Sequence, residues 1–529
     1  MDLEQIIRDL SRADAYEHPV PSVEVIQTHG SVVFLAGEHV YKVKKPRNLG
    51  FLDYSTLERR RVFCRAEVEL NRRLAPDVYL GVEALSLRGG RLRVGGSDPS
   101  AVEYAVHMRR LPESATLRSR WRGGTLHVAM VERVARAVAE FHATKRPDHE
   151  AAVWSRRAEV ERNHADNFET LAAQSEQVIA AAVLTRLEAA ATEALAGAAA
   201  LLDRRASQGV ACDGHGDLRT DHVYVREVDG SQPWQIDIVD CIEFDPRYRC
   251  GDPIADIAFL AVDLAALGAH ALADRLMETY LEASGDEEGA QLVPLYRGYR
   301  ATVRAKVEAI RAGLEEVPDG ERREAAARAR AWMVLALAEL ETPSRRPALV
   351  LVAGLPASGK STVAEALVEN SGFEWIRADV VRKRLAGVAA SSSAAAPVNR
   401  GIYSPVWSDR TYDECLKLAR RSLLQGGRVV VDATLLTRAR RRAFRDAAVE
   451  SGARVVTLVC AASESTTYAR MAARKSGPSD ADFEVYQALA RRWEPLGPDE
   501  GLHAIIETDG LQRDVLRTVL DQLGQFGVG

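Results

Sequence analysis

The hydrophobic pattern of the chain changes period several times along its length. Between residues 22 and 45, apolar runs at 23–26 and 32–36 lead into a Gly37-Glu38 turn and then into residues 40–44, where apolar positions alternate with Lys. A period of two turns alternate side chains to opposite faces, so this stretch predicts a β-hairpin. From Thr56 to Leu74 the apolar positions Val62, Ala66, Leu70 and Leu74 recur at helical spacing among charged residues, and an Ala-, Glu- and Arg-rich region from about 125 to 205 predicts further helix. A second β-rich patch runs from Val210 through 223–225 to 234–239, and helices resume from Pro253 to about 340.

Two prolines in Thr342-Pro343-Ser344-Arg345-Arg346-Pro347 interrupt the helical pattern, and an apolar strand begins at once at Ala348. The boundary is therefore expected here: a first domain over 1–342, a linker over 343–347 and a second domain over 348–529. In the second, strand-like runs at 348–353, 428–432 and 454–460 alternate with helical segments, which predicts a parallel sheet covered by helices. The Ala- and Ser-rich stretch 388–398 is expected to be a loop.

Composition narrows the partners. A chain of 529 residues is too long for one ordinary core, and 70 basic against 75 acidic residues leave no basic field for nucleic acid. Residues 1–12 alternate apolar with charged positions, unlike a secretory signal, and no long apolar run announces a membrane span, so a cytoplasmic protein without a membrane partner is expected. The cysteines (Cys64, Cys212, Cys241, Cys250, Cys415, Cys460) are scattered without a Cys-x-x-Cys pair, which argues against a zinc site and a disulfide framework.

Chemistry enters through two motifs. Gly354-Leu355-Pro356-Ala357-Ser358-Gly359-Lys360-Ser361 matches G-x-x-x-x-G-K-[ST] between an expected strand and the helical segment opening at Thr362. Loop amides from Gly354 through Ala357, Ser358 and Gly359 to Thr362 can cradle phosphates, Lys360 supplies a cation, and Ser361 can ligate Mg²⁺. Asp432, ending an apolar strand, stands where a Mg²⁺ carboxylate would sit. This half resembles small-molecule P-loop kinases of the gluconate kinase, zeta toxin and polynucleotide kinase type. The resemblance implies that Asp379, in Arg377-Ala378-Asp379-Val380-Val381-Arg382, is the base on an acceptor hydroxyl and that Arg382 binds phosphate or substrate. It also points to Arg470 and Arg474 as lid arginines, with Arg474 the preferred charge stabiliser.

The second motif is His215-Gly216-Asp217-Leu218-Arg219-Thr220-Asp221-His222, followed by Ile236-Asp237-Ile238-Val239-Asp240. Asp217 can accept the proton of a hydroxyl and Asp240 can hold Mg²⁺ against ATP phosphates, with Asp237 as the alternative acid. This half resembles the aminoglycoside-phosphotransferase family, which implies a bilobal α+β protein-kinase-like fold. It implies further that Lys42 (or Lys44) binds phosphate, that Glu67 (or Glu69) is its ion-pair partner, that 103–111 forms the interlobe hinge, and that His215 and Asp256 brace the catalytic loop. That family usually has Asn where this chain has His222. Imidazole is an unusual Mg²⁺ ligand, so the expectation divides between a softer metal such as Mn²⁺, a water-mediated contact and an impaired site.

Together the halves resemble a bacterial family that fuses an aminoglycoside-phosphotransferase-like protein to a P-loop kinase. The likeness extends over His29, Lys45-Pro46, Gly50-Phe51-Leu52-Asp53, Leu70-Asn71-Arg72-Arg73-Leu74 and Cys241-Ile242-Glu243-Phe244. The expected function is transfer of the γ-phosphate of ATP to a small-molecule hydroxyl at two nucleotide sites. The alternatives are a first half that binds ATP without turnover and regulates its neighbour, and a nucleic-acid end kinase suggested by Arg-rich segments such as 438–445 but opposed by the balanced charge.

Overall fold

The computed structural model describes residues 2–28, 30–48, 52–96, 100–144, 151–174, 178–228, 233–389, 401–473, 483–497 and 500–529. His29, Gly50, Phe51 and the 388–398 loop from residue 390 onward lie outside them. The chain divides into two compact units, Met1–Arg162 with Ala198–Tyr296, and Asn163–Gly197 with Arg297–Gly529.

The first unit opens with a six-stranded antiparallel sheet in the spatial order Val23–Gln27, Ser31–Ala36, His39–Lys44, Glu103–Arg109, Tyr79–Arg88 and Arg91–Val94. Alternation along His39–Lys44 sends Tyr41 and Val43 into a core with Phe34, Leu85 and Leu92, which Ile6 and Leu10 of the helix Leu3–Leu10 complete. Lys42 and Lys44 therefore face the other side of the sheet. There the helix Leu57–Asn71 packs, capped by the Thr56 hydroxyl, which accepts from the Arg59 amide.

The buried face of this helix is not the expected one. Val62 is 52% exposed, whereas Arg60, Cys64, Glu67, Val68 and Asn71 are buried. The polar members tolerate burial because each has partners: the Arg60 Nε lies 2.8 Å from Glu103 Oε1 and its Nη2 2.8 Å from Glu103 Oε2. The rest of the unit is built on the helices Val128–Thr144, Pro253–Ala266 and His270–Ser284, with the hairpin Val223–Glu227 and Trp234–Ile238 following the loop 215–222.

The second unit centres on five parallel strands in the order Glu374–Arg377, Arg428–Asp432, Ala348–Ala353, Arg454–Ala461 and His503–Glu507. Continuous apolar runs suit strands buried on both faces, and every residue of Ala348–Ala353 is buried. The helices Lys360–Ser371 and Gln512–Gln525 cover one face, and Pro405–Leu423 and Arg438–Glu450 cover the other. Neighbouring strands leave Ala348–Ala353 on both sides, so the loop after it opens into a topological switch point.

Residues 343–347 belong to this unit as packed chain. Arg428 Nη1 donates to the Pro343 carbonyl (2.7 Å), and Arg186 donates to the carbonyls of Gly426 (2.8 Å) and Arg345 (2.9 Å) while pairing with Glu341. Val334, from the helix Asp319–Leu340, enters the same core as Leu349 and Val429. Helices that precede the expected boundary thus pack on the parallel sheet. Among the described residues no helix is long and apolar enough to cross a membrane.

Candidate active sites

In the first unit, Lys42 Nζ reaches Glu67 Oε1 at 2.9 Å and Asp240 Oδ1 at 2.6 Å. The fully buried Lys44 takes the other Glu67 oxygen at 2.7 Å and also pairs with Glu243, to which the Tyr54 hydroxyl donates. Glu67 therefore joins both lysines, while Glu69 is exposed. Burial acts to lower the pKa of each lysine, but the carboxylates around them prevail and hold both ammonium groups well above their ordinary value. Burial likewise works to raise Glu67, and Lys42 and Lys44 outweigh it, so this carboxyl lies below its usual range. Asp237 stands apart: it is buried against Arg226, whose Nε donates to it at 2.7 Å.

Asp240 has the left-handed φ of 66° and is pinned there, since its amide donates to the Tyr79 hydroxyl (3.1 Å) and the next amide, of Cys241, donates to Asn71 Oδ1 (2.9 Å). Asp256 accepts from the amides of His215 (2.7 Å) and Gly216 (2.8 Å), which sets the turn that presents Asp217. His215 is buried and contacts the Val239 carbonyl at 3.0 Å, so its geometry is that of a brace. His222 lies between the two acids, with Nδ1 2.8 Å from the Asp217 carbonyl and 3.4 Å from its carboxylate, and Nε2 3.6 Å from Asp240 Oδ2. One ligand atom each from Asp217, His222 and Asp240 fall within 4.8 Å of one another, a spacing that fits a divalent cation.

In the second unit, the phosphate loop has the backbone its glycines allow. Gly354 has φ 141°, and a Cβ there would meet the Cys460 carbonyl oxygen at 2.5 Å. Gly359 has φ 88° and sits under the Thr508 side chain; Ala357, between them, holds φ 60°. Lys360 begins the helix Lys360–Ser371 and donates to the Leu355 carbonyl at 2.7 Å. The Ser361 hydroxyl donates to Asp432 Oδ2 at 2.7 Å, so two hard oxygens converge beside the loop as Mg²⁺ ligation requires.

These residues line a cavity of about 490 Å³ together with Asp379, Arg377, Arg382, Tyr412 and Arg470. Burial raises the Asp379 carboxyl above its ordinary value; Arg382 opposes this and Asp432 adds to it. The Arg382 guanidinium donates to the Ile402 carbonyl (3.0 Å) and Ser408 hydroxyl (3.2 Å) and lies 4.0 Å from Asp379. Arg470 donates to the carbonyls of Ala357 (3.2 Å) and Thr508 (2.5 Å), which places a cation on the phosphate loop. Arg474 lies outside the described residues.

The mycobacterial protein "Uncharacterized protein Rv2004c" of Mycobacterium tuberculosis is 34% identical to this chain over 480 residues, covering 90% of this chain and 91% of that protein. The same figures hold for "Uncharacterized protein Mb2027c" of Mycobacterium bovis. The chain belongs to the family of these two proteins. Within it, residues 349–496 match a family model described as "AAA domain". Among solved structures, similarity extends to a gluconokinase from Sinorhizobium meliloti 1021 (23% identity, 35% of this chain and 95% of that one, TM-score 0.26). It extends also to a choline/ethanolamine kinase family protein from Mesorhizobium loti (15%, 63% and 95%, 0.37) and to amicoumacin kinase hAmiN (14%, 63% and 93%, 0.39). The fold of this family member is a first region with a six-stranded antiparallel sheet, followed by a P-loop α/β domain with a five-stranded parallel sheet.

Several residues of this member's sites were not anticipated. Glu243, from the quoted segment 241–244, and Tyr54, next to Asp53, hold Lys44, a role that the sequence did not assign to either. Arg219, inside the quoted motif, has Nη1 3.7 Å from Asp217 Oδ2 and a pKa raised by that acid and its neighbours against the lowering effect of burial. Thr508 braces the phosphate loop through the Ser358 carbonyl (2.8 Å) and follows a strand, His503–Glu507, that the sequence pattern did not announce.

Proposed function

We propose that the chain is an ATP-dependent phosphotransferase that moves the γ-phosphate to a hydroxyl of a small molecule, with one nucleotide site in each unit. The observation that carries this reading is the convergence of the Asp379 carboxyl with Lys360, Ser361 and Asp432 on one cavity. A base with an elevated pKa can take the acceptor's proton as its oxygen bonds to the γ-phosphorus and the bond to the ADP oxygen breaks. Lys360 and the loop amides would balance charge on the transferring group, and Arg382 would orient the acceptor. Mg²⁺ held by Ser361 and Asp432 would neutralise phosphate charge.

In the first unit the corresponding parts are Asp217 as base, Lys42 with Glu67 at the phosphates, and Asp240 with His222 at the metal, Mg²⁺ or Mn²⁺. A second reading, in which this unit binds ATP without turnover and regulates the other, draws on His222 and on the Lys42–Asp240 contact that a nucleotide would have to open. We take the compartment to be the cytoplasm, supported by six cysteines of which none forms a disulfide among the described residues.

The test is phosphate transfer from ATP by the full chain to a panel of sugars, amino alcohols, aminoglycosides and oligonucleotide ends, repeated with Asp379→Asn. Transfer to a small alcohol that the variant loses supports the reading. Transfer to oligonucleotide ends alone would replace it with the nucleic-acid reading, and unchanged transfer by Asp379→Asn would remove Asp379 as base.

A further inference from the structure

We propose that the first unit selects a first-row transition-metal dication, Mn²⁺ being the probe of choice, through direct ligation by His222 Nε2 and the Asp240 carboxylate. The proposal rests on the nucleotide reading of that unit but concerns the ion alone.

The two ring nitrogens of His222 have different surroundings. Nδ1 lies 2.8 Å from the Asp217 carbonyl, which can only accept, so Nδ1 is the donor there and Nε2 is the nitrogen left for a metal. A ring oriented by a carbonyl on one nitrogen and open on the other is the usual state of a metal-ligating histidine. Nε2 faces Asp240 Oδ2 at 3.6 Å, too long for a hydrogen bond and close to the separation of two adjacent ligands on one ion, which is about 3 Å for bonds near 2.1 Å.

Asp240 is divided in a matching way. Its Oδ1 is held by Lys42 at 2.6 Å, which leaves Oδ2 toward the imidazole, and the backbone that carries it is fixed by Tyr79 and Asn71. Asp217 offers a further oxygen within the same 4.8 Å cluster. The donor set of the His222 imidazole and the Asp240 carboxylate suits Mn²⁺ and its neighbours, whereas Mg²⁺ prefers oxygen ligands alone. In the second unit the pair beside the loop, Ser361 and Asp432, offers oxygen, so the two sites would differ in the ion they favour.

The alternative use of His222, as a protonated ring standing in for the metal between two acids, makes the opposite prediction for nitrogen coupling. Pulsed electron paramagnetic resonance on the tag-free full chain, with Mn²⁺ alone added below the protein concentration, reads it directly. The expected result is ¹⁴N coupling from one imidazole, lost in His222→Asn, with the Mn²⁺ over Mg²⁺ affinity ratio falling roughly tenfold or more in that variant. Asp240→Asn should weaken Mn²⁺ binding while a circular dichroism melt shows the chain still folded. No bound Mn²⁺, bound Mn²⁺ without nitrogen coupling, or a coupling that survives His222→Asn would each overturn the proposal. Nucleotide binding to the first unit, followed separately with a fluorescent ATP analogue, distinguishes the failures. Coupling present without nucleotide binding supports the metal site and removes the kinase reading; nucleotide bound without coupling removes the metal site alone.

Discussion

The site in the second unit draws most of its parts from one loop and the ends of two adjoining parallel strands, whereas the first unit gathers Lys42, Glu67, Asp217 with His222, and Asp240 from separate segments of chain. Their resting electrostatics differ accordingly. In the second unit, Lys360 donates to the Leu355 carbonyl, and Arg382 lies 4.0 Å from Asp379. In the first, Lys42, Lys44, Glu67, Asp240 and Glu243 already neutralise one another, so under the proposed function nucleotide and metal would exchange ion pairs. A preassembled charge network holds geometry, because each buried charge depends on its partners.

The sharpest way to break this comparison is to disable the sites one at a time. Lys360→Ala should lower turnover in the second unit by roughly 10³–10⁵-fold, the range for a cation at a transferring phosphoryl group, and leave the first untouched. Asp217→Ala with Asp240→Ala should do the reverse. Calorimetry should count two nucleotides on the parent chain and one on each variant. A parent that binds one nucleotide, lost only with Lys360→Ala, would favour the regulatory reading, and loss of both activities from either variant would mean the units are coupled.

Next in size, Asp379→Asn should cost roughly 10²–10⁴-fold in transfer while nucleotide affinity stays near that of the parent, because the amide keeps the shape and cannot accept a proton. Equal losses in both would make Asp379 a packing residue. A kinetic split between kcat and the affinity for ATP checks it.

What could be read in advance follows the same division. The phosphate loop, Asp432 and the strands beside them were legible because contiguous motif and strand ends carry both fold and chemistry. The order of Lys42, Glu67, Asp217 and Asp240 was legible through resemblance, but the choice between Lys42 and Lys44 was not, since both point to one face of the same strand and share Glu67. The buried face of Leu57–Asn71 was misjudged because hydrophobic spacing cannot register an Arg60 or Glu67 whose burial depends on partners far along the chain. The strand His503–Glu507, with Ile505 62% exposed, and the helices before residue 343 that pack on the parallel sheet depend likewise on tertiary neighbours.

The two lysines give a smaller effect that sharpens the picture within the first unit. Lys44→Met removes the common cation of Glu67 and Glu243 and leaves buried acid uncompensated, so it should destabilise that unit by about 3 kcal/mol. Lys42→Met leaves Lys44 on Glu67 and should act chiefly on nucleotide affinity. Denaturant unfolding beside nucleotide titration separates them, and the opposite pattern would exchange the roles of the two lysines.

The smallest expected effect concerns how each unit buries histidine. His142 in the first unit is fully buried, and its ring nitrogens meet the Tyr280 hydroxyl (2.9 Å) and Asp256 (3.1 Å). His164 in the second unit is also buried, against the ring of Tyr299 at 4.8 Å, but its Nε2 has no hydrogen-bond partner among the described residues. Burial alone pushes its pKa down to about 4. A histidine whose folded pKa lies below its unfolded value binds fewer protons when folded, so stability is full above pH 6.5 or so and declines as pH falls toward 4. At pH 5 the loss is about 2 kcal/mol, from roughly 1.5 pH units at about 1.36 kcal/mol each. The transition of the second unit should therefore move down on acidification, and His164→Leu should flatten that dependence while leaving the pH response of the first unit as it was. Calorimetric melts of parent and variant between pH 7 and 5 measure this. An unaltered slope in His164→Leu would mean that the ring gains a proton acceptor in solution and that the acid sensitivity of this unit lies elsewhere.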